Sequence, residues 1–136
     1  MSTFTEYFID TLKNRYADFS GRATRSEYWY FALYNILISI AFYVMIIFGA
    51  LTDSTLFLSL GGGSIMILSF GLIIPSLAVA VRRLHDIGKS GWHYLLGMIP
   101  LAGPIILLVF FCTDSEQGEN NWGSNPKEME FKEDII

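Results

Sequence analysis

Charged residues are missing from three long stretches of this 136-residue chain. Asp, Glu, Lys and Arg are absent for 25 residues after Glu27, for 28 after Asp53 and for 24 after Lys89. A soluble helix of such length needs a charged outer face, whereas a helix that is apolar on all sides must be buried or face lipid. A chain this short has no soluble interior for three such helices. The pattern excludes an ordinary soluble domain, although an apolar fraction of 52% alone would allow one.

Cysteine is nearly absent as well. The single Cys112 cannot form an intramolecular disulfide, which excludes a disulfide-stabilised secreted scaffold. A cleavable signal peptide is not evident, because the first apolar stretch begins only near Tyr28 after a charged leader, and no small-residue cleavage pattern interrupts it. We therefore expect the first apolar segment to remain in the protein as an anchor.

The uncharged stretches predict three transmembrane helices, at residues 29–51, 56–81 and 92–112. The first of them would reach about 34 Å, enough for a hydrocarbon core of about 30 Å. The connection at 52–55 is so short that it predicts a tight turn between antiparallel helices. In the second helix, the glycines at 61–63 are expected to loosen the first part, and Pro75 is expected to produce a kink.

The third stretch contains Pro100 and Pro104, so its middle is not expected to form a straight, unbroken helix. Two topologies follow from this. Either residues 92–112 cross the bilayer, or two pieces of about 12 Å each enter it and return to the same side as a re-entrant hairpin. The two topologies place the C-terminal tail on opposite sides of the membrane.

The ends of the chain are polar. Residues 3–19 place aromatic and aliphatic side chains at helical spacing, with a capping box formed by Thr3 and Glu6. This amphipathic helix could pack on protein, but we expect it to lie at the headgroup level. The C-terminal tail after Cys112, residues 113–136, is acidic and rich in turn formers, and we expect it to be loosely ordered. The predicted organisation is an all-α polytopic membrane domain over residues 1–126, followed by an acidic tail at 127–136.

The distribution of Lys and Arg predicts the orientation. The leader and the second loop together hold seven of these residues, the first loop holds none and the tail holds two. Basic residues are retained on the cytoplasmic side. The leader and the second loop should therefore be cytoplasmic, with the first loop and the tail on the outer side.

Most of these basic residues belong to a polar belt at the cytoplasmic ends of the first two spans. Since antiparallel spans bring these ends to the same depth, we expect the belt to form ion pairs, such as Glu27 with Arg82 or Arg83, and Asp86 to align His85. The belt consists of eight residues: Arg22, Arg25, Glu27, Arg82, Arg83, His85, Asp86 and Lys89.

The same belt suggests two kinds of chemistry. Arginine grips phosphate with two hydrogen bonds, and each basic residue near an anionic surface contributes about 1 kcal/mol, so the belt is a candidate site for anionic lipid headgroups. A second hypothesis is that His85 and Asp86 act together as a general base, although such a dyad alone is a weak signal.

Other sites are excluded by spacing. The "GKS" at residues 88–90 would be a phosphate-binding loop only with a glycine at position 83, which is Arg83. His85, Asp86 and His93 lack the spacing of a metal site. We assign no catalytic residue, no metal and no cofactor, and we expect no nucleic-acid partner.

Three segments resemble a known family: "FSGRATRSEYWYFALYN", "PSLAVAVRRLHDIGKSGWHYLLGMIPLAGPIILLVFFC" and "DSEQGENNWGSNP". They are similar to the domain-of-unknown-function 805 family of bacterial inner-membrane proteins, and "RRLHDIGKSGW" is the most specific of the motifs. The resemblance implies a small polytopic protein of the bacterial inner membrane and assigns no catalytic role to any residue.

The resulting hypothesis is a scaffold that binds membrane lipids or a protein partner through its cytoplasmic polar belt. The alternative is a subunit of an oligomeric transporter or channel, in which Asn35, Ser39 and the serines of the second span line a pore. A homo-oligomer and a membrane-protein partner both fit the pattern. An enzyme acting on lipid headgroups is the least favoured hypothesis.

Overall fold

The computed structural model describes residues 4–135, which form five α-helices and one 3₁₀ helix. Among these residues no β-strand forms, and Asn120 and Gly123 make an isolated β-bridge. The predicted all-α class is confirmed. The helices are α1 Phe4–Lys13, α2 Arg25–Leu51, α3 Thr55–Asp86, the 3₁₀ helix Gly91–Met98, α4 Ala102–Cys112 and α5 Pro126–Ile135.

Helices α2 and α3 pack side by side as an antiparallel hairpin. Both are long and apolar enough to cross a membrane. Their 27 and 32 residues correspond to about 40 and about 48 Å, more than the hydrocarbon thickness of a bilayer. Many of their large apolar side chains, such as Val44, Ile47 and Phe70, are exposed on the chain itself. This surface is suited to contact with lipid.

Glycine allows the two helices to approach closely. A Cβ atom added at Gly49 would lie 2.8 Å from the backbone nitrogen of Leu58, and one at Gly61 would lie 2.7 Å from Cγ1 of Ile46. The expectation that the glycines at 61–63 loosen the second span is wrong, because α3 is continuous through them. Gly61 serves as a contact surface instead.

The third apolar stretch does not form one spanning helix, which corrects the prediction for residues 92–112. The 3₁₀ helix ends at Met98, Leu101 has a φ of 64°, and α4 begins at Ala102. Pro100 has no amide hydrogen to continue a helix, whereas Pro104 is tolerated in the first turn of α4. The break between the two prolines permits a reversal of the chain.

The two pieces pack against each other as an antiparallel hairpin. A Cβ atom at Gly97 would lie 2.7 Å from Cδ1 of Leu107, and one at Gly103 would lie 2.1 Å from the backbone oxygen of Leu96. The chain consequently leaves α4 near the point where it left α3: the backbone oxygen of Phe111 accepts a hydrogen bond from Nε of Arg83 at 3.3 Å. This geometry is that of the re-entrant alternative.

Helix α1 is shorter than the predicted 3–19, because it ends at Lys13 and the chain turns before residue 20. In this turn, the Asp18 carboxylate accepts hydrogen bonds from the hydroxyl and the amide of Ser20, which lower the pKa of Asp18. Thr3 of the predicted capping box lies outside the described residues. Phe8 packs on Phe31 and Tyr34 of α2, with ring centroids 5.4 and 5.2 Å apart. The helix has a protein partner, and its location at the headgroup level stays a prediction.

The tail makes specific hydrogen bonds through residues 113–123 and continues into α5, where loose order was expected. It crosses the end of the hairpin where α2 begins and α3 ends, which we call the cap end. Glu128 accepts a hydrogen bond from the amide of Gly118 at 3.0 Å, and Tyr7 of α1 donates one to Glu130 of α5 at 3.5 Å. The tail and the leader therefore lie at the same end of the molecule, so the predicted placement of the tail opposite the leader is wrong.

The buried apolar side chains form two small clusters in the half of the hairpin next to the cap end. One joins Phe31 of α2 to Leu72 and Val79 of α3, and the other joins Leu84 of α3 to Phe111 of α4. Because no comparable cluster of buried residues forms toward residues 52–54 within the described part of the chain, the tertiary structure is densest where the polar belt lies.

Candidate functional site

Six of the eight belt residues meet in the interior of the cap end. None of these residues is exposed by more than 7%, an unusual burial for charged groups. These six residues are Arg22, Glu27, Arg82, Arg83, His85 and Asp86. The predicted juxtaposition of the two helix ends is thus present, and the backbone amide of Ala23 donates a 3.0 Å hydrogen bond to the carbonyl of Arg82.

The first ion pair joins the beginning of α2 to the end of α3. The hydroxyl of Thr24 caps α2 by accepting a hydrogen bond from the amide of Glu27 at 3.2 Å. The Glu27 carboxylate binds Arg82, together with Arg15 at 3.3 Å. The expected pair of Glu27 with Arg82 or Arg83 is therefore confirmed for Arg82. Nε and Nη2 of Arg82 have no hydrogen-bond partner among the described residues. The positive charge of Arg82 is therefore compensated by the carboxylate of Glu27.

The second centre of the network is Asp86, whose side chain is completely buried. Its Oδ1 accepts a hydrogen bond from Nε of Arg22 at 3.1 Å. Its Oδ2 accepts one from Nη1 of Arg83 at 2.7 Å and one from the hydroxyl of Ser115 at 2.6 Å. One carboxylate thus compensates two arginines and also holds the first residues of the tail. We call Arg22, Glu27, Arg82, Arg83 and Asp86 the ion-pair cluster.

The remaining donors of the cluster hold the tail in place. Arg22 donates to the carbonyl oxygens of Gly118 at 2.8 Å and Gly123 at 3.2 Å, as well as to that of Glu116. Arg83 donates to the carbonyl of Thr113. A guanidinium group has five N–H donors, and those of Arg22 and Arg83 are directed to the Asp86 carboxylate and to backbone carbonyls. Arg22 and Arg83 are consequently engaged internally and are not free to grip a phosphate.

His85 has a different environment from the predicted one. Its Nδ1 lies 3.0 Å from the carbonyl oxygen of Gly21, and its ring stacks on Trp122 with centroids 4.6 Å apart and planes inclined by 8°. Asp86 is instead bound by Arg22, Arg83 and Ser115. The expectation that Asp86 aligns His85 is therefore wrong, and the general-base dyad is not formed.

The other two belt residues lie at the edge of the cap end. Arg25 is about half-exposed, with Nη2 at 3.5 Å from Oδ1 of Asp114. Hydrogen bonds to Asp114 from Lys127 and from the amide of Ser115 hold the pKa of this carboxyl below its usual value. Lys89 places its ammonium group 4.8 Å from the ring centroid of Phe110. These two cations remain within reach of solvent or a headgroup.

Several residues of the site were not predicted. Arg15, Ser115 and Trp122 each contact a belt residue, and the tail supplies the carbonyl groups. Two tail glycines have a positive φ, 71° at Gly118 and 124° at Gly123, which brings their carbonyls to Arg22. The glycines and asparagines of "DSEQGENNWGSNP" predict a turn in this segment. Nothing in the sequence indicates that the carbonyl groups of this turn bind Arg22.

A cavity of about 610 Å³ lies beside the ion-pair cluster, between α1, residues 21–27, residues 122–126 and α5. We call it the cap cavity. Its lining contains two arginines, both already engaged: Arg15 with Glu27, and Arg22 with Asp86. Within residues 4–135, no group of three or more His, Cys, Asp or Glu side chains is placed to hold a metal ion. The carboxylates that line the cavity are Glu6, Asp10, Glu27, Glu130 and Glu133.

Residues 16–124 match the family model described as "Protein of unknown function (DUF805)". The chain is 40% identical over 123 residues to the inner membrane protein YhaI of Escherichia coli (strain K12), covering 90% of this chain and 96% of that protein. It is 38% identical over 124 residues to the inner membrane protein YhaH of the same strain, covering 90% and 97%. It is 28% identical over 152 residues to the uncharacterized protein YiiR, covering 91% and 96%. No solved structure matches.

Proposed function

Because the chain belongs to the DUF805 family, a family of small inner-membrane proteins without an assigned activity, we propose that it is a scaffold: the hairpin of α2 and α3 anchors it in the membrane, and the cap end binds a partner. The family assignment confirms the resemblance of the sequence. The observation that carries the proposal is that Arg22, Arg82 and Arg83 are buried in ion pairs, while carboxylates line the cavity beside them.

The membrane anchor follows from the two long apolar helices, α2 and α3. The loop at their far end, residues 52–54, contains no Lys or Arg, whereas all nine Lys and Arg residues of the chain lie toward the cap end once the tail returns there. The excess of Lys and Arg residues on one side is therefore larger than the excess predicted from the three-span topology. By the retention of basic residues in the cytoplasm, the cap end is cytoplasmic, with both chain termini on that side.

Orientation is tested by fusing a reporter of cytoplasmic exposure after Ile136. We expect the reporter to be active in the cytoplasm, as with a fusion at the N-terminus. A fusion within residues 52–54 should report exposure on the outer side. Cytoplasmic exposure of the loop fusion, or outer exposure of the tail fusion, would reject the two-span orientation.

Anionic headgroups are the less favoured partner for the cap end. Releasing Arg22, Arg82 or Arg83 to a lipid phosphate would leave Glu27 or Asp86 as a buried, unpaired charge, at a cost of about 3–5 kcal/mol. Outside the buried network the belt itself offers only Arg25, which is exposed, and Lys89, which is half-buried, fewer than the four to eight cations typical of a polybasic lipid site. Acidic residues also outnumber basic ones outside the far loop, since 12 of the 13 Asp and Glu residues lie toward the cap end.

A basic segment of another protein fits the cap cavity better. Asp10 of α1 and Glu130 and Glu133 of α5 line it, and the two glutamates are exposed. Arg15 and Arg22 of the lining are paired with Glu27 and Asp86, and the five carboxylates of the lining outnumber these two cations. The volume of about 610 Å³ is sufficient for one or two side chains of a partner.

The experiment measures binding of a fluorescent oligolysine peptide to the full chain in nanodiscs of zwitterionic lipid. The double variant Glu130→Gln, Glu133→Gln should bind the peptide about 3- to 10-fold more weakly than wild type, because each exposed ion pair contributes up to about 1 kcal/mol. The matched control, Glu119→Gln with Asp134→Asn, removes the same charge from exposed residues that do not line the cavity. Binding in the control should stay near wild type.

Equal weakening in both double variants would mean that only the net charge of the tail attracts the peptide, and it would reject the cavity as the binding site. Absence of peptide binding to wild type in zwitterionic lipid would likewise reject the partner scaffold.

A further inference from the structure

A second recess opens on the side of the hairpin, at the depth of the membrane-spanning part. It comprises two adjacent cavities of about 510 and about 230 Å³ between α2, α3 and the 3₁₀ helix. Both are lined by Asn35, Ser76 and Tyr94. We call this recess the lateral cleft. Asn35, Ser69 and Ser76, which belong to the set predicted to line a pore of an oligomer, here line a cleft of a single chain.

The lateral cleft lies well below the ion-pair cluster. Ser76 precedes Arg82 by six residues of α3, about 9 Å along the helix, and Asn35 follows Glu27 by eight residues of α2, about 12 Å. If the ion-pair cluster lies at the headgroup level, these polar side chains lie at the depth of the acyl chains. Water is not present there to satisfy them.

The three polar side chains that border both cavities differ from the nearby hydroxyls of Ser39 and Ser69, of which Ser69 also lines the larger cavity. The hydroxyls of Ser39 and Ser69 donate to carbonyls of their own helices at 2.8 and 2.7 Å. In contrast, the side chains of Asn35, Ser76 and Tyr94 make no hydrogen bond within residues 4–135. Three unpaired donors that border one recess in an apolar medium require a partner, because an unsatisfied polar group is costly there.

We infer that the lateral cleft binds a membrane-soluble ligand that carries a carbonyl group. The amide of Asn35 and the hydroxyls of Ser76 and Tyr94 can all donate to a carbonyl oxygen. The remaining lining, which includes Leu72 and Leu77, is apolar and suits a hydrocarbon chain. Two sources share this chemistry: the ester carbonyl of a glycerolipid and the ring carbonyl of a quinone. This site is independent of the cap cavity.

The test is native mass spectrometry of the full chain released from nanodiscs. Retention of ester-linked but not ether-linked phospholipid would identify a glycerolipid ligand. Retention of decylubiquinone but not of decylbenzene, which has the same chain without carbonyl groups, would identify a quinone. With the retained ligand, Asn35→Leu should lower the bound fraction about 3- to 10-fold, the loss expected from one hydrogen bond.

The matched control is Ser39→Ala, which removes a polar group of similar depth that bonds to its own helix and does not line the cleft. It should retain ligand like wild type, and Ser76→Ala replaces Asn35→Leu if the latter fails to fold. Equal retention by wild type and the cleft variants, or retention of neither ligand class, would overturn the inference. A dimer that holds no ligand and is lost in Asn35→Leu would also overturn it, because a second chain would then occupy the cleft.

Discussion

The two ends of the α2 and α3 hairpin are held together by different forces. At the cap end, buried arginines and carboxylates bind one another and the backbone of the tail. At the far end, the contacts are apolar or local: Phe48 and Phe57 meet edge to face at 5.1 Å, and the hydroxyl of Thr52 donates to the carbonyl of Phe48 in its own helix. Gly49 supplies the close approach there.

This difference shows that the two ends of a small membrane protein can be held in place by different kinds of interaction, packing at one end and buried ion pairs at the other. Apolar side chains give no preference for protein over lipid, so the far end depends on the fit of glycine against a neighbouring helix. Buried charges have no such freedom, because each one without its partner is strongly destabilising. The ion pairs at the cap end therefore hold the leader, the beginning of α2, the end of α3 and the tail in one arrangement. The far end is held only by the complementary shapes of the two helices.

The largest effect should come from breaking the cap end. Asp86→Asn keeps the size of the side chain but leaves Arg22 and Arg83 without a carboxylate, and we expect the free energy of unfolding to fall by about 3–5 kcal/mol. Unfolding of the purified protein in detergent measures it. Because Asp86 also holds Ser115, protease cleavage within residues 114–123 should accelerate.

The control for this variant is Asp114→Asn, in which an exposed carboxylate is lost and the stability should change by less than about 1 kcal/mol. Similar stabilities of the two variants would show that burial of the ion-pair cluster does not distinguish the cap end from an ordinary charged surface.

A smaller effect is expected from the packing of the hairpin. In Gly61→Ala the new methyl group meets the side chain of Ile46 and the backbone oxygen of Phe42, at 2.7 and 3.2 Å, and we expect a loss of about 1–3 kcal/mol in the same unfolding measurement. Gly62→Ala is the matched control, because no atom lies within 4 Å of its Cβ position. If Gly62→Ala destabilises the protein as much as Gly61→Ala, helix contact does not explain the effect.

Much of the hairpin could be predicted from the distribution of charge. The lack of charged residues after Glu27 and after Asp53 located both long helices, and the short connection required them to be antiparallel. Their bounds differ from the predicted spans because each helix continues into the cap end: α2 begins at Arg25 and α3 ends at Asp86. Hydropathy marks the part of a helix that suits lipid, but the hydrogen-bonded backbone continues beyond it.

The ion-pair cluster was predictable only in part. Antiparallel spans bring Glu27 close to Arg82, so this pair could be expected from the sequence. The partner of Asp86 could not, since a neighbouring His85 and a distant Arg22 are both reasonable partners for a carboxylate. The choice depends on the path of the tail, whose carbonyl groups bind Arg22 and whose Trp122 covers His85.

The amino-acid sequence by itself determined that the chain is helical, that two long apolar segments pair, and that charge is concentrated at one end, because these properties follow from local periodicity and from charge distribution. Only the tertiary structure showed that residues 91–112 form an antiparallel helical hairpin and not one continuous helix. Pro100 and Pro104 permit both, and the difference lies in the contacts of Gly97 and Gly103 within the reversed segment. The same contacts return the tail to the cap end, where buried arginines need its carbonyl groups to satisfy their donors.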